Sequence, residues 1–267
     1  MAAMELTAQQ LADFDRDGFL ILPEVFSVAE IDVLRAAVPG LMAEVSDDNR
    51  TEESGSEIRN IFGLHRRNAT FERLTRHPRL LGPARQILGR DFYVQQCKIN
   101  MKSPFVGAGF AWHVDFATHH RRDGVPEPLA LNLHVFLDDV TEFNGPIWFV
   151  PGSHRWDVPT ERGLDAGDRE LWIIPPAAVV RAVDRGGLVS ATGGRGTVVI
   201  FGDLLLHVSA NNIGPRPRRI YSLIVNPISN APTRDVPAVQ HEPDRTPLTP
   251  FADDCLLSPR PAIPAPA

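Results

Sequence analysis

The sequence YVQQCKINM at residues 93–101 marks the point where helical patterns give way to strand patterns, and it decides the fold. Apolar and polar residues alternate in it, which is the period-two pattern of a strand with one buried face. Similar β-rich runs follow, separated by turn residues: LALNLHVFL (129–137), IWFVP (147–151), GTVVIFG (196–202) and RRIYSLIVN (218–226). Several short strands in succession predict a mainly β fold, a sandwich or jelly roll, with helices on its N-terminal side.

The chain before this stretch has helical signals. Capping boxes begin at Thr7 and at Ser27, and helical patterns return at about 69–76 and 79–88. The polar stretch 46–57 has no period, which predicts either a disordered loop or a lid over a site.

The domain organisation follows from these patterns. We expect a single domain over residues 1–267, with a helical part at about 1–90 and a β core at about 91–226. The remaining residues, 227–267, are rich in proline and predict irregular chain along the surface.

Composition narrows the possible partners. A net charge of -6 and a pI of about 5.8 argue against nucleic acid, which requires a basic face. No apolar run approaches the ~20 residues that span a bilayer, and the N-terminus lacks a secretory pattern. Cys97 and Cys255 fit reduced thiols, although one disulfide stays open. We therefore expect a cytoplasmic protein that acts on a small molecule, without membrane or nucleic-acid partners.

A candidate metal site begins at His113 and Asp115. Residues two apart in a strand point to the same side, so this pair at a strand end can offer one imidazole and one carboxylate to a single metal. His207, after the strand at 196–202, is the best third ligand. Two histidines and a carboxylate form the facial triad of non-haem iron(II) oxygenases, with positions left open for cosubstrate and oxygen. Zinc accepts the same donors, so a cupin-type zinc enzyme and a non-catalytic metal-binding barrel remain alternatives.

An arginine follows the third ligand at a useful distance. Arg218 lies eleven residues after His207 and begins the next apolar strand, which a turn at 213–217 is expected to return antiparallel to the previous one. Its guanidinium can hold the distal carboxylate of 2-oxoglutarate as a bidentate fork. Arg216 and Arg219 are competitors, but Arg219 should face the opposite side of the strand.

Three polar side chains share one face of the opening strand. Gln96, Lys98 and Asn100 alternate there with apolar residues. Such a face suits either the lining of a polar pocket or a solvated edge strand.

Several motifs together resemble the phytanoyl-CoA dioxygenase superfamily, and within it the bacterial ectoine hydroxylases and the free proline or pipecolate hydroxylases. The resemblance runs from about Ile61 to Asn226. It rests on QCKIN (96–100), AWHVDF (111–116), RRDGVP (121–126), NGPIWFVPGSH (144–154), and His207-x-Ser209 followed by Arg218. HRR (65–67) and RHPRLLGPARQILG (76–89) are especially similar to the proline 4-hydroxylase group.

The resemblance implies a double-stranded β-helix (jelly roll, cupin-like) core and an enzyme that uses iron(II), 2-oxoglutarate and O2. It implies iron ligation by His113, Asp115 and His207, and 2-oxoglutarate binding by Arg218, Ser209, Asn100, Gln96 and Lys98. The reaction expected is hydroxylation of a small free amino acid or cyclic imino acid, of the proline or pipecolate kind, with release of succinate and CO2. The alternative is a tailoring hydroxylase of another small metabolite, either ectoine-like or a natural-product intermediate. An intact Asp115 favours hydroxylation, because related halogenases lack this carboxylate.

Five further residues are candidates for substrate contact. His119 and His120 are expected in a loop just beyond the metal ligands, and the ectoine and proline enzymes usually have tryptophan at the first of these positions. His134 lies in an apolar strand, where packing is the alternative role. Arg66 and Arg67 suit an amino-acid carboxylate, with an ordinary surface position as the alternative.

Overall fold

β-Strands dominate the computed structural model of the chain, which describes residues 4–53, 55–164, 170–237 and 241–258. Within these residues the helices are α1 (Ala8–Asp17), α2 (Val28–Ala43), α3 (Leu64–Arg67), α4 (Ala69–Thr75), α5 (Pro78–Leu88), α6 (Asp115–Arg121) and α7 (Pro176–Gly186). The strands are β1 (Phe19–Leu22), β2 (Asn49–Thr51), β3 (Ile58–Phe62), β4 (Phe92–Lys102), β5 (Phe110–His113), β6 (Leu131–Phe136), β7 (Ile147–Phe149), β8 (Glu161–Leu164), β9 (Glu170–Ile173), β10 (Val189–Ala191), β11 (Val198–Gly202), β12 (His207–Ser209) and β13 (Arg218–Pro227).

The strands form two antiparallel sheets. The larger sheet has the order β1-β11-β6-β13-β4-β3-β2, and the smaller has the order β10-β7-β12-β5-β9-β8. Alternation along β6 shows how the layers are built. Leu133 and its apolar neighbours on one face join the cluster that also contains Leu34 of α2 and Phe71 of α4. Phe136 on the other face joins Phe149 of the smaller sheet. Helices therefore cover one face of the larger sheet and the smaller sheet covers the other, so the predicted mainly β fold with N-terminal helices is confirmed.

The first two helices begin where the capping boxes predict. The Thr7 hydroxyl accepts the Gln10 N–H at the start of α1, and the Ser27 hydroxyl accepts the Glu30 N–H at the start of α2. Each cap satisfies backbone groups that a helix end leaves unpaired. Gly18 ends α1 in the left-handed region at φ 86°, a conformation that glycine adopts without steric cost.

Several elements differ from the sequence predictions. The segment after Asp115 is helix α6, not a loop; its N-cap, Val114, makes no side-chain capping bond, so the sequence carries no start signal. The turn at 213–217 does not form a hairpin, because β12 lies in the smaller sheet and β13 in the larger. The polar stretch 46–57 contains β2, and Ser54 within it lies outside the described residues.

Three further findings concern the expectations drawn from the sequence. Within the described ranges, no helix has the length and apolar character to cross a membrane. Cys97 and Cys255 are buried free thiols. Beyond Asn230 the described residues contain no helix or strand. The single-domain organisation stays a prediction.

Candidate active site

Three side chains with metal-binding atoms converge between the sheets. His113 ends β5, Asp115 begins α6, and His207 begins β12 directly opposite His113 in the antiparallel pair. One ligand atom from each lies within 4.8 Å of the others. The Nε2 atoms of His113 and His207 lie 3.3 and 4.0 Å from Asp115 Oδ1. β5 ends at His113, so Asp115 lies in the first turn of α6. The start of this helix positions Asp115, whereas the sequence predicted that strand alternation would do so.

Both imidazoles are held in the same orientation. His113 Nδ1 lies 2.7 Å from the Ala111 carbonyl oxygen, and His207 Nδ1 lies 2.9 Å from the Leu205 carbonyl oxygen. A carbonyl accepts only, so each Nδ1 carries the proton and each Nε2 presents its lone pair to the shared space. Ring orientation by a hydrogen bond to the second nitrogen is the usual arrangement of metal-ligating histidines.

The carboxylate is fixed by a residue that the sequence did not single out as a site residue. The Asn132 amide of β6 donates to Asp115 Oδ2 at 3.0 Å, which leaves Oδ1 toward the imidazoles. Burial by itself would raise the pKa of Asp115, but His207 and His113 hold that pKa well below its ordinary value. Burial, together with the neighbouring His113, lowers the pKa of His207 to about 4. The cluster thus presents an anionic carboxylate, the form in which Asp115 would ligate a metal.

This donor set fits iron(II). Two neutral imidazole nitrogens and one monodentate carboxylate oxygen on one side of a cavity are the facial triad, which leaves positions open for further ligands.

The cavity beside the triad contains a buried cation. Arg218 lines this cavity and is 2% exposed, and its Nε and Nη2 donate to the Gly145 carbonyl oxygen at 3.0 and 2.8 Å. No described carboxylate forms an ion pair with it. Burial, and then the charge of Arg59, lowers the pKa of Arg218 to about 9. A buried guanidinium without a carboxylate partner favours an anionic ligand.

The two competing arginines lie elsewhere. Arg219 points away from the cavity and pairs with Asp138 at 2.7 Å. Arg216 is exposed in the turn before β13. The alternation along β13 therefore separates Arg218 from its neighbour, as the sequence predicted.

Four other predicted residues line the same cavity: Lys98, Asn100, His134 and Ser209. Lys98, Ser222 and His134 lie side by side across β4, β13 and β6. His134 Nε2 lies 2.9 Å from the Ser222 hydroxyl, and burial lowers the pKa of His134 to about 3, so its ring is neutral. Asn100 and Ser209 also line the cavity, and the Ser209 hydroxyl is buried without a hydrogen-bond partner.

Gln96 shares the strand face with these residues, but it is not part of the cavity lining. Its side-chain oxygen accepts from Lys98 Nζ at 2.5 Å. It therefore contacts the cavity through Lys98.

The remaining predicted substrate residues lie outside the cavity lining. His119 is buried in α6, where its Nδ1 lies 3.1 Å from Asp203 Oδ1. His120 is exposed and bonds the Val125 carbonyl oxygen. Arg66 pairs with Glu242 at 2.9 Å, and Arg67 pairs with Glu44. These four residues are not part of the cavity lining, and their contact with substrate stays a prediction.

Several site residues besides Asn132 were missed in the sequence, among them Ser222, which contacts His134. Gly145 supplies the carbonyl for Arg218, and Phe201 packs against His207 with ring centroids 5.0 Å apart. Asn132 had a local signal, because it shares a face of β6 with His134.

Comparison with known proteins gives consistent results. The profile of the family "Phytanoyl-CoA dioxygenase (PhyH)" matches residues 14–220. An ectoine dioxygenase of Nocardia farcinica is 37% identical over 237 residues, which cover 85% of this chain and 80% of the relative. An L-proline trans-4-hydroxylase of Streptomyces griseoviridis is 33% identical over 255 residues, covering 91% of this chain and 95% of the relative.

A solved structure has the same architecture. EctD from S. alaskensis with bound Fe superposes with a TM-score of 0.82 at 33% identity, over 92% of this chain and 87% of that one. The same protein with 2-oxoglutarate and 5-hydroxyectoine gives a TM-score of 0.81. The predicted jelly-roll, cupin-like fold is confirmed, and the predicted enzyme class and cofactors are confirmed as those of the relatives. The family profile spans most of the chain, the relatives are more than 30% identical, and the chain belongs to the phytanoyl-CoA dioxygenase (PhyH) family.

Proposed function

We propose that His113, Asp115 and His207 hold the iron(II) of this dioxygenase, and that Arg218 anchors its 2-oxoglutarate. One observation carries the proposal. A cluster of two Nε2 atoms and one carboxylate oxygen, all within 4.8 Å, shares a cavity with a buried arginine that pairs with none of the described carboxylates. A dicarboxylate that reaches from the metal to a guanidinium satisfies both.

The chain's own residues orient the reactants. When bound, iron supplies the redox chemistry that couples conversion of 2-oxoglutarate and O2 into succinate and CO2 to hydroxylation of the substrate. The Asn132 amide keeps one oxygen of Asp115 occupied, so that only the other faces the metal position. Arg218, together with the unpartnered Ser209 hydroxyl, offers donors to the distal carboxylate.

Apolar side chains form part of the wall of the same cavity. Phe110, Ile147 and Phe201 line the cavity beside the polar residues. Exclusion of water strengthens the electrostatic contacts and protects reactive species.

Zinc would accept the three metal ligands equally well. Arg218 has no evident task in a zinc hydrolase or in a non-catalytic barrel, whereas a 2-oxoglutarate enzyme requires a cation in the cavity beside the metal. Family membership favours the iron enzyme in the same way.

For the substrate we infer a small polar metabolite of the ectoine kind. Several ectoine dioxygenases are 36–37% identical to the chain, so the relatives favour this alternative over the proline-like substrate that the sequence suggested first. Proline stays the second candidate, because the S. griseoviridis proline hydroxylase matches 95% of its own length. These relatives are named for small-molecule substrates, ectoine and L-proline, which supports a small-molecule substrate for this chain as well. The cytoplasmic location, and the expected lack of nucleic-acid and membrane partners, stay predictions.

Two experiments test these assignments. Anaerobic addition of iron(II) and 2-oxoglutarate should produce a weak visible charge-transfer band, which zinc does not give. His207→Gln should lose the band, and a band of equal strength in that variant would overturn the metal assignment.

The substrate test measures succinate release with ectoine, L-proline and L-pipecolate, followed by mass spectrometry for one added oxygen. We expect ectoine to stimulate release most strongly. Stimulation by proline but not by ectoine would reverse the substrate assignment and leave the enzyme class intact. No stimulation by any of the three would remove both substrate candidates.

A further inference from the structure

A buried asparagine of β3 contacts the wall of the cavity from behind. Asn60 is 2% exposed and lies directly opposite Asn100 in the antiparallel pair of β3 and β4. Its side-chain Nδ2 donates to Asn100 Oδ1 at 2.6 Å. Asn100 lines the cavity, whereas Asn60 does not. Asn60 therefore reaches a ligand in the cavity through Asn100.

This hydrogen bond decides which atom of the Asn100 amide faces the cavity. A carboxamide carries an acceptor oxygen and a donor NH2 group on the same carbon atom. Because Oδ1 is turned toward Asn60, Nδ2 is the atom that remains for the cavity. Within the described residues, Asn100 makes no other side-chain hydrogen bond. The wall therefore presents a hydrogen-bond donor at this position.

The surroundings of Asn100 suit an anionic ligand. Lys102 lies two residues further along β4 on the same face and is the direct partner of Arg218 in β13. These two basic side chains are 1% and 2% exposed. The Ser209 hydroxyl on the cavity wall is buried without a hydrogen-bond partner. The NH2 group of Asn100 adds a further donor, which suits a carboxylate because an ionised carboxylate only accepts hydrogen bonds.

A reversed Asn100 amide would oppose such a ligand. Its Oδ1 would then face the carboxylate, so that two acceptors would lie together. Its NH2 group would face Asn60 Nδ2, so that two donors would also lie together. The donation from Asn60 therefore stabilises the orientation of Asn100 that can bind an anion.

We propose that Asn60 is a positioning residue for the cosubstrate. It holds the Asn100 amide with the NH2 group toward the cavity, and this group donates to a carboxylate of 2-oxoglutarate. This inference rests on the proposed function. Asn60 itself touches neither the cosubstrate nor the metal.

The test is anaerobic titration of 2-oxoglutarate into iron-loaded protein, followed by the visible charge-transfer band. Asn60→Leu has a similar side-chain size and lacks the donor, so that the Asn100 amide can turn either way. We expect a loss of roughly tenfold in affinity for 2-oxoglutarate, the size of one weakened hydrogen bond to a charged group. The affinity for iron(II), titrated separately, should not change, because the partner of Asn60 is Asn100 and not a triad residue.

A double-mutant cycle shows whether Asn60 acts through Asn100. Asn100→Leu alone should weaken binding of 2-oxoglutarate by roughly tenfold or more. In the Asn100→Leu background, Asn60→Leu should cause no further loss, because no amide remains to be oriented. An equal loss in both backgrounds would show that Asn60 acts independently of Asn100.

Ile61→Val is the matched control. Ile61 follows Asn60 on β3, faces the opposite side of the strand and is fully buried in the core. Removal of one methyl group there should lower the free energy of unfolding and leave the affinity for 2-oxoglutarate unchanged. A purely structural Asn60 would give the same result in Asn60→Leu.

Asn60→Asp is a second variant with the shape of the original residue. An ionised aspartate only accepts, so it should draw the Asn100 NH2 group toward β3 and turn Oδ1 into the cavity. Binding of 2-oxoglutarate should therefore be weaker than in Asn60→Leu. In the Asn100→Leu background the remaining loss measures the added charge alone, and the difference between the two backgrounds measures the reversed amide. This comparison decides the question if Asn60→Leu does not fold.

Four outcomes overturn the inference. They are unchanged affinity in both Asn60 variants, an equal loss with and without Asn100→Leu, a similar loss in Ile61→Val, and unchanged affinity in Asn100→Leu. In the last case Asn100 does not contact the cosubstrate. If the wild-type protein does not bind 2-oxoglutarate, the proposed function itself is wrong.

Discussion

Replacing Arg218 by methionine should separate cosubstrate binding from folding stability. Methionine has a similar length and no charge, so it fills the same buried space between Gly145 and the cavity. A buried charge without an acidic partner is a cost to the folded state, which an apolar side chain of similar volume removes. We therefore expect weaker binding of 2-oxoglutarate without loss of stability.

Two magnitudes follow from the structure. Burial lowers the pKa of Arg218 to about 9, and its distance from the ordinary arginine value corresponds to roughly 4–5 kcal/mol of cost to the charged form. The two lost charge-assisted hydrogen bonds to a carboxylate are worth about 1.5–3 kcal/mol each. The loss of both hydrogen bonds predicts a decrease of roughly 100-fold or more in affinity for 2-oxoglutarate.

The assay compares Arg218→Met with Arg219→Met. The second variant removes the pair with Asp138 on the opposite face of β13, at 2.7 Å, and leaves Asp138 without that partner. It should lose stability in denaturant unfolding and keep its affinity for 2-oxoglutarate in anaerobic titration. Equal affinities for the two variants, or a larger loss for Arg219→Met, would refute the assignment of Arg218.

Three further results are expected. Asn132→Leu should weaken iron(II) binding roughly 10- to 100-fold, because Asp115 loses the donor to its second oxygen; an unchanged anaerobic iron titration would contradict this. His119→Asn removes the imidazole that lies 3.1 Å from the buried Asp203 carboxyl group, and should lower the free energy of unfolding by roughly 1–3 kcal/mol; a loss under about 1 kcal/mol in denaturant unfolding argues against the pair. Burial raises the pKa of Glu242 to about 7, above its unfolded value, so its contribution to stability is complete below about pH 4 and is lost as the pH rises through about 7; Glu242→Gln should flatten that part of the pH–stability curve, and an identical curve would disprove the contribution.

The sequence by itself determined most of the scaffold. The alternation in YVQQCKINM and RRIYSLIVN predicted β4 and β13 nearly to their ends, and the capping residues Thr7 and Ser27 fixed the starts of two helices. These patterns are visible because alternation and capping depend on neighbours within a few residues. Strand alternation also predicted that Arg218 and Arg219 face opposite sides of β13.

Helix α6 shows where local rules fail. It has seven residues and no side-chain cap, and the Phe116 N–H bonds the carbonyl oxygen of Asp203, a residue distant in sequence. Tertiary contacts therefore support it, so the sequence predicted a loop for His119 and His120. The predicted return of β13 beside β11 failed in a similar way, because β6 lies between them.

Only the tertiary structure decided how the site is completed. His207 reaches His113 because β12 and β5 pair in the smaller sheet, and Asn132 reaches Asp115 across the space between the two sheets. Lys102 meets Arg218 only through the register of β4 against β13. Strand register and the packing of one sheet on another depend on contacts between distant segments. The sequence therefore named the three candidate metal ligands, and the fold supplied the partners that hold them and the second cation beside Arg218.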